Sequence, residues 1–366
     1  MRNYPLAKPV IEADDIEAVV KVLKSQHLSR GPVVKQFENE FCQLLGCRYA
    51  SAVSSGSAGL IIALQALGVK SGDEVITVSF TVPATVNSIV AIGAKPVMVD
   101  IEEETLGMCP LALSKAIGPK TSAIIIVHAF GKSANMDQLL EIAKTHGVKV
   151  IEDSCEALGN NYENAPLGTM ADIGVFGFYP NKQITTGEGG MIVTNNEEIY
   201  SLCELLKNHG RSMNGDLYDQ ESFGWNFRLS DINAALGISQ IKRLERIITK
   251  RRKIAKYYYS FLKQETTILC PQFKPQESGS AWFVYVVRLL KNNRDEVLNN
   301  LQKKGVHCGR YFAPVHLQPY YQANESSRQL KTTELIASQC LALPFYTDLK
   351  GDDINYICDK LLKNTI

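Results

Sequence analysis

In the stretch FGFYPNKQITTGEGGMIVT, Phe176 to Thr194, a single lysine, Lys182, stands between an aromatic strand end and a glycine-rich turn that leads into another apolar run. Lysine in a loop is ordinarily a solvated surface charge. Here Phe178, Tyr179 and Pro180 precede it and Gly187, Gly189 and Gly190 follow it, a setting of bulky walls and close backbone approach. A lysine confined in that way loses solvation, gives up its proton more readily, and can attack an aldehyde to form a Schiff base. A second group lies in VIEDSCEALG, Val150 to Gly159, where an apolar run ends in Asp153 and Glu156. Asp153 could keep a pyridine nitrogen protonated and so turn a ring into an electron sink, or merely cap the following turn. A third is VSSGSAGLIIALQAL, which sets Gly56, Ser57 and Ala58 ahead of an apolar stretch of helical period. Ser57 is the expected N-cap, and free N–H groups at such a start suit a phosphate, although many ordinary helices begin with serine and small residues.

These groups need elements to bring them together. From about Ala50 to Thr194, short Val- and Ile-rich runs alternate with stretches of helical period, the sign of a parallel sheet covered by helices. The strand candidates are Glu74–Val78, Pro96–Val99, Ala123–Val127, Lys149–Glu152, Ile173–Phe178 and Met191–Thr194. Asp153 then falls at the carboxyl edge of the sheet, where ligands of α/β proteins bind. Upstream, Ile16, Val19, Val20 and Leu23 are spaced as the apolar face of a helix packed on the larger domain. From Ser230 a helical pattern runs toward a second at Ile254 to Leu262, a bridge into an α+β C-terminal part with a strand at Trp282 to Leu289, a helix at Asp295 to Lys304 and a loop at His307 to Tyr321. The basic run KRLERIITKRRK, Lys242 to Lys253, reads as a solvated helix face, because Leu244, Ile247 and Ile248 interrupt it at helical spacing.

Composition narrows the field. The 366 residues suggest two domains, or one large domain with an appendage. With 39 Lys+Arg against 38 Asp+Glu there is no excess of charge to serve a nucleic acid or an acidic membrane. The start, MRNYPLAKPVIEADD, lacks a signal-peptide core, and no apolar run is long enough to span a bilayer, so a cytoplasmic protein is expected. Nine cysteines, scattered without a CxxC pair, support neither a disulfide framework nor a metal site.

Taken together the motifs resemble the DegT/StrS family of pyridoxal-phosphate (PLP) dependent nucleotide-sugar aminotransferases. The likeness runs through LSRGPVVKQFENEF (Leu28 to Phe41), SSGSAGL, GDEVITVSFTVPATVNSI (Gly72 to Ile89), VHAFG, VIEDSCEALG, FYPNKQITTGEGG, GWNFRLSDINAALG (Gly224 to Gly237), RYFAPVHLQPYY and LPFY. The resemblance implies PLP fold type I: a three-layer α/β/α large domain with a mostly parallel mixed sheet over residues 1–245, including an N-terminal helix at 12–25, and a smaller α+β domain over 246–366. It implies Lys182 as the lysine that holds PLP, Asp153 as partner of the ring nitrogen, and Gly56, Ser57 and Ala58 as a phosphate clamp. Asn226 would reach the phosphate bound by the neighbouring subunit, making a homodimer with shared active sites. Ser29, Tyr311 and His316 fall in segments that line the sugar-nucleotide site.

Three residues depart from the family pattern: Glu156 replaces Gln or His beside the ring hydroxyl, Gly177 replaces a serine that donates to the phosphate, and Val82 replaces an aromatic that stacks on the ring. The implied reaction moves an amino group from L-glutamate to a keto carbon, C4 rather than C3, of a nucleotide-linked keto-deoxysugar, for cell-surface polysaccharide such as lipopolysaccharide O-antigen. The alternatives are a sugar 3-dehydrase of the same fold, which carries His where Lys182 stands, and a PLP-binding regulator without turnover.

Overall fold

The computed structural model describes residues 3–211, 219–271, 280–323 and 329–365. The large sheet is built from β1 (Tyr49–Val53), β2 (Glu74–Val78), β3 (Lys95–Val99), β4 (Thr121–Val127), β5 (Lys149–Asp153) and, beyond a short hairpin of β6 (Asn161–Tyr162) and β7 (Ala165–Pro166), β8 (Ile173–Gly177) and β9 (Gly190–Thr194). Its order is β1-β9-β8-β5-β4-β2-β3. Strands β3, β2, β4, β5 and β8 pair in parallel, and β9 runs antiparallel to both β8 and β1. The predicted strands are thus recovered to within two residues at their ends. The added strand, β1, is a short run of small residues whose partner in register, β9, lies some 140 positions away, too distant for periodicity to reveal.

The alternation of side chains along the strands makes the layers. In β4, Ala123 and Ile125 pack with Leu60, Ile62 and Leu64 of the helix Gly56–Ala66. Ile124 and Ile126 pack on the opposite face with Met136, Leu139 and Ala143 of the helix Met136–His146. Near β8, Phe37 and Phe41 of the helix Pro32–Leu45 meet Phe176 and Phe178 edge-on, with ring centroids 5.2 to 5.6 Å apart. All four rings are buried, each contributing about 1.5–3 kcal/mol by leaving water, so the lysine segment that follows Phe178 starts from a fixed point.

The helix Ala13–Ser25 forms where expected but is rolled differently. It buries Asp15 and Val22 against the helix Asp231–Lys242, and Asp15 pairs with Arg243 and accepts from Gln240 Nε2 at 3.0 Å. Ile16, Val20 and Leu23 are exposed, so the apolar stripe does not face this chain's core. The buried ion pair dictates the roll. In the C-terminal part, β10 (Ile268–Leu269), β11 (Tyr285–Leu289) and β12 (Cys340–Leu343) form an antiparallel sheet flanked by the helices Arg294–Lys303 and Gly351–Leu362. The strand expected from Trp282 begins only at Tyr285, because Trp282 has a positive φ of 45°.

The helix Leu244–Leu262 serves two cores. Leu244, Ile247 and Ile248 join the cluster around Phe37 and Phe178, whereas Ile254, Ala255, Tyr258 and Leu262 join that around Tyr285 and Leu343. Its basic run is not wholly a solvated face, since Arg251 lies on the buried side.

Candidate active site

Strands β4, β5 and β8 end side by side, with Val127 opposite Asp153 and Asp153 opposite Val175. This is the carboxyl edge of the parallel sheet. The Asp153 carboxylate is buried there: Oδ2 accepts from Thr85 Oγ1 at 2.8 Å and Oδ1 from the Cys155 N–H at 3.3 Å. Thr85 in turn lies 3.0 Å from Thr81 Oγ1. Thr85 belongs to the helix Pro83–Ala91, whose N-cap Val82 is partly exposed. One turn past Asp153, Glu156 accepts from the Phe130 N–H at 2.8 Å and lies 3.5 Å from Lys182 Nζ. Burial pushes the Glu156 carboxyl above the usual carboxylate range, with Lys182 and the Phe130 N–H pulling the other way. Between the two acids, burial and the charge of Asp153 hold the Cys155 thiol well above its ordinary value, so it stays protonated.

The sequence builds the lysine's place by a tight return. The Lys182 N–H bonds the Tyr179 carbonyl at 2.9 Å, and the Phe178 N–H bonds Gly189 at 2.9 Å. Gly190 lets β9 lie against the start of the helix Gly56–Ala66: a Cβ there would fall 2.7 Å from the Ser55 carbonyl oxygen and 2.8 Å from the Gly56 nitrogen. Lys182 Nζ rests 4.3 Å from the centre of the Phe283 ring, and its side chain is about one-tenth exposed.

At that helix start the cap is Ser55 rather than Ser57. Ser55 Oγ takes the Ala58 N–H at 3.1 Å and its carbonyl the Gly59 N–H at 3.0 Å. The N–H groups of Gly56 and Ser57 are then those the helix leaves for a ligand, and Ser57 is exposed. Gly56 lies against the acids' segment, since a Cβ on it would meet Cys155 Sγ at 2.8 Å.

Lys182, Asp153, Glu156 and Gly56 are therefore brought together. Tyr311 joins them through Asn181, whose Nδ2 donates to its hydroxyl at 3.4 Å, and its ring stacks on Phe283 at 6.2 Å. Ser29 is exposed and bridges Ser230, next to Asp231, whose carboxylate accepts from Gly31, Val33 and Val34 N–H and so caps the helix Pro32–Leu45. His316 is buried with both ring nitrogens engaged, Nδ1 at 2.6 Å from Ser79 Oγ and Nε2 at 3.3 Å from Glu334. Asn226 is exposed on a bridge with Asn208, beside Phe227, whose carbonyl accepts the Ser54 N–H. Sequence reasoning missed Thr85, Phe130 and Phe283. Thr85 and Phe130 sat inside quoted motifs without any local mark of their role, and Phe283 lies a hundred positions from the lysine it faces.

The donor set fits PLP. One buried amine suits an aldehyde, the helix start suits a phosphate, and the buried Asp153 carboxylate, held by two donors, suits the protonated nitrogen of a ring. Among the described residues, no group of three His, Cys, Asp or Glu could hold a metal ion, and no helix is long and apolar enough to cross a membrane.

The mostly parallel seven-stranded sheet with this strand order is that of the PLP fold type I aminotransferases. The chain belongs to the DegT/DnrJ/EryC1/StrS aminotransferase family, whose sequence profile matches residues 9–362. It is 35% identical over 376 residues to the spore coat polysaccharide biosynthesis protein SpsC of Bacillus subtilis (strain 168), covering 98% of this chain and 96% of that protein. Among solved structures it is similar to PseC of Helicobacter pylori, an aminotransferase involved in the biosynthesis of pseudoaminic acid, with a TM-score of 0.94 and 29% identity over 100% of this chain and 99% of that one. It is also similar to NtdA of Bacillus subtilis with bound cofactor PMP, with a TM-score of 0.90 and 30% identity over 97% of this chain and 83% of that one.

Proposed function

We propose that this sugar aminotransferase transfers an amino group from L-glutamate to C4 of a nucleotide-linked keto-deoxysugar, with PLP as its cofactor and Lys182 as the residue that holds it. The observation that carries the reading is the Lys182 amine, enclosed between Glu156 and the Phe283 ring beside Asp153 and the start of the helix Gly56–Ala66. When bound, PLP supplies an electron sink for moving an amino group. Lys182 Nζ anchors the aldehyde and, once released, carries a proton away from and back to the reacting carbons as base and acid. Asp153 keeps a proton on the ring nitrogen, and Thr85 and the Cys155 N–H hold the carboxylate that does so. Glu156, buried and with one oxygen on the Phe130 N–H and the other toward Lys182, would stand beside the ring hydroxyl.

Of the clamp Gly56, Ser57 and Ala58, the Gly56 and Ser57 N–H groups bind the phosphate while the Ala58 N–H is held by Ser55, with Asn226 of the partner subunit completing it in a homodimer. Ser29, Tyr311 and His316 belong to the walls of the sugar-nucleotide site, His316 by fixing the loop rather than through a free ring nitrogen. The family kinship with a polysaccharide biosynthesis protein supports a role in cell-surface polysaccharide, O-antigen included, made in the cytoplasm. Lys182 itself counts against the dehydrase alternative. The test is borohydride reduction and peptide mapping, which should put the cofactor on the Lys182 peptide, followed by a panel of UDP-, GDP- and dTDP-linked 3-keto and 4-keto sugars with glutamate, read by product mass and NMR. Label on another lysine refutes the assignment of Lys182, and amination of 3-keto sugars alone refutes C4.

A further inference from the structure

Arg251 is the one member of the basic run 242–253 that turns inward far enough to be 5% exposed. A buried guanidinium usually meets a carboxylate. Among the described residues this one has none, and its two terminal nitrogens donate to backbone carbonyls while Nε is buried without an acceptor: Nη2 donates to Lys182 at 3.3 Å, and Nη1 to Trp282 and Phe283 at 3.1 Å each. The Phe345 ring lies 5.5 Å from its central carbon. The acceptors come from two chain segments, and those segments carry the two partners already met at the site, the Lys182 amine and the Phe283 ring under it. One planar group therefore sets the spacing between the main chain that bears the amine and the main chain that bears its wall. It does so from mid-helix, where Leu244–Leu262 passes from the core of the large sheet to that of the C-terminal sheet.

We propose that Arg251 is a positioning residue for Lys182: by bonding the carbonyls of Lys182 and Phe283 with one rigid fork, it aims the amine at the aldehyde of the cofactor. The role needs the fork and not only the charge. A lysine at 251 would present a compact ammonium on a flexible stem and could not fix two carbonyls from different segments in one plane. The inference rests on Lys182 holding the cofactor, as proposed above.

The test compares Arg251→Met and Arg251→Lys with the wild type, first as apoenzymes. Pyridoxal phosphate is mixed in a stopped-flow instrument, the rate of covalent capture is followed by absorbance, and borohydride mapping identifies the labelled lysine. In parallel, competitive acetylation without cofactor reports the reactivity of the Lys182 amine. Capture by Arg251→Met should slow at least ten-fold, with altered acetylation of Lys182, and Arg251→Lys should recover little of either; full recovery by Arg251→Lys overturns the need for the fork. In turnover kcat should fall while KM for the sugar changes less than two-fold. Label on Lys182 with wild-type capture and acetylation, whatever the loss of Tm, overturns the role and leaves the cofactor reading intact. Label elsewhere overturns both. Should Arg251→Met not fold, Phe283→Leu and Arg251→Lys are measured singly and together: capture in the double variant faster than the product of the single effects supports a shared role, and simple multiplication overturns it.

Discussion

Gly177, at the end of β8, is one of the three departures from the pattern that the family resemblance implies, and the space for a serine there is present. A Cβ at 177 would lie 3.4 Å from Cys155 Sγ, 3.5 Å from Cys155 Cβ and 3.9 Å from the Gly56 Cα, all ordinary contacts that place a hydroxyl beside the start of the helix Gly56–Ala66. A hydrogen bond to a charged acceptor contributes about 1.5–3 kcal/mol, which at 1.4 kcal/mol per decade is a gain of roughly 12- to 140-fold in affinity. Replacing the glycine also restricts the unfolded chain, worth about 0.4–1 kcal/mol where the backbone conformation is compatible. Gly177→Ser should therefore bind PLP more tightly, measured by equilibrium dialysis of the apoenzyme, and should not lower Tm. The control is Gly174→Ser in the same strand, whose Cβ would fall 1.9 Å from the Gly168 carbonyl oxygen. It should cost at least ~3 kcal/mol, the top of the usual overpacking range, or prevent folding. A folded Gly177→Ser with unchanged or weaker affinity would refute the placing of the phosphate at this helix start.

Asp153→Ala should abolish turnover while Glu156→Gln keeps much of it, as steady-state rates with matched cofactor loading would show; the reverse ranking exchanges their roles. Because burial raises the Glu156 carboxyl above 4.5 in the folded chain, the stability it contributes is present below that pH and is lost as pH rises through the folded value. Chemical denaturation of the apoenzyme should accordingly show Glu156→Gln gaining on the wild type from acid toward neutral pH, and a constant difference would contradict the buried acid. Lys207 is enclosed between Glu204 at 2.5 Å and Glu38 at 3.1 Å, so Lys207→Met, which strands two buried carboxylates, should cost about 3–5 kcal/mol in denaturant midpoints. Lastly, Lys182→Ala and Asn226→Ala chains, each impaired alone, should on subunit exchange recover about a quarter of wild-type activity per chain if two-fold sites are shared; only the average of the parents would reject the shared site.

What was legible in the sequence follows from the range of the forces involved. Each strand from β2 to β9 in the large sheet announced itself because burial on both faces selects a continuous Val/Ile run, a property of five to seven neighbouring residues. The roll of the helix Ala13–Ser25 was not legible, although its existence was. Period alone chose Ile16, Val20 and Leu23 for the inner face, and the choice was reversed by Asp15 meeting Arg243 at a separation of 228 residues. A single buried charge outweighs several apolar contacts here because leaving it unpaired costs more than exposing them.

The same distinction divides the site. Lys182 and Asp153 could be proposed from the sequence because local residues mark them, bulky before and glycine after for Lys182 and an apolar run ending in acids for Asp153. Their supports could not. Thr85 reaches Asp153 from 68 positions away, Phe283 reaches Lys182 from the other sheet's side of the chain, and Arg251 was hidden in a basic run whose pattern is that of a solvent-facing stripe. His316 shows what composition leaves out: a histidine in a loop rich in Tyr and Pro has the composition of a binding residue, and in the fold Ser79 and Glu334 engage both its nitrogens. A residue type states what a side chain can do, and only the donors and acceptors that the fold assigns to it decide whether that capacity remains available to a ligand.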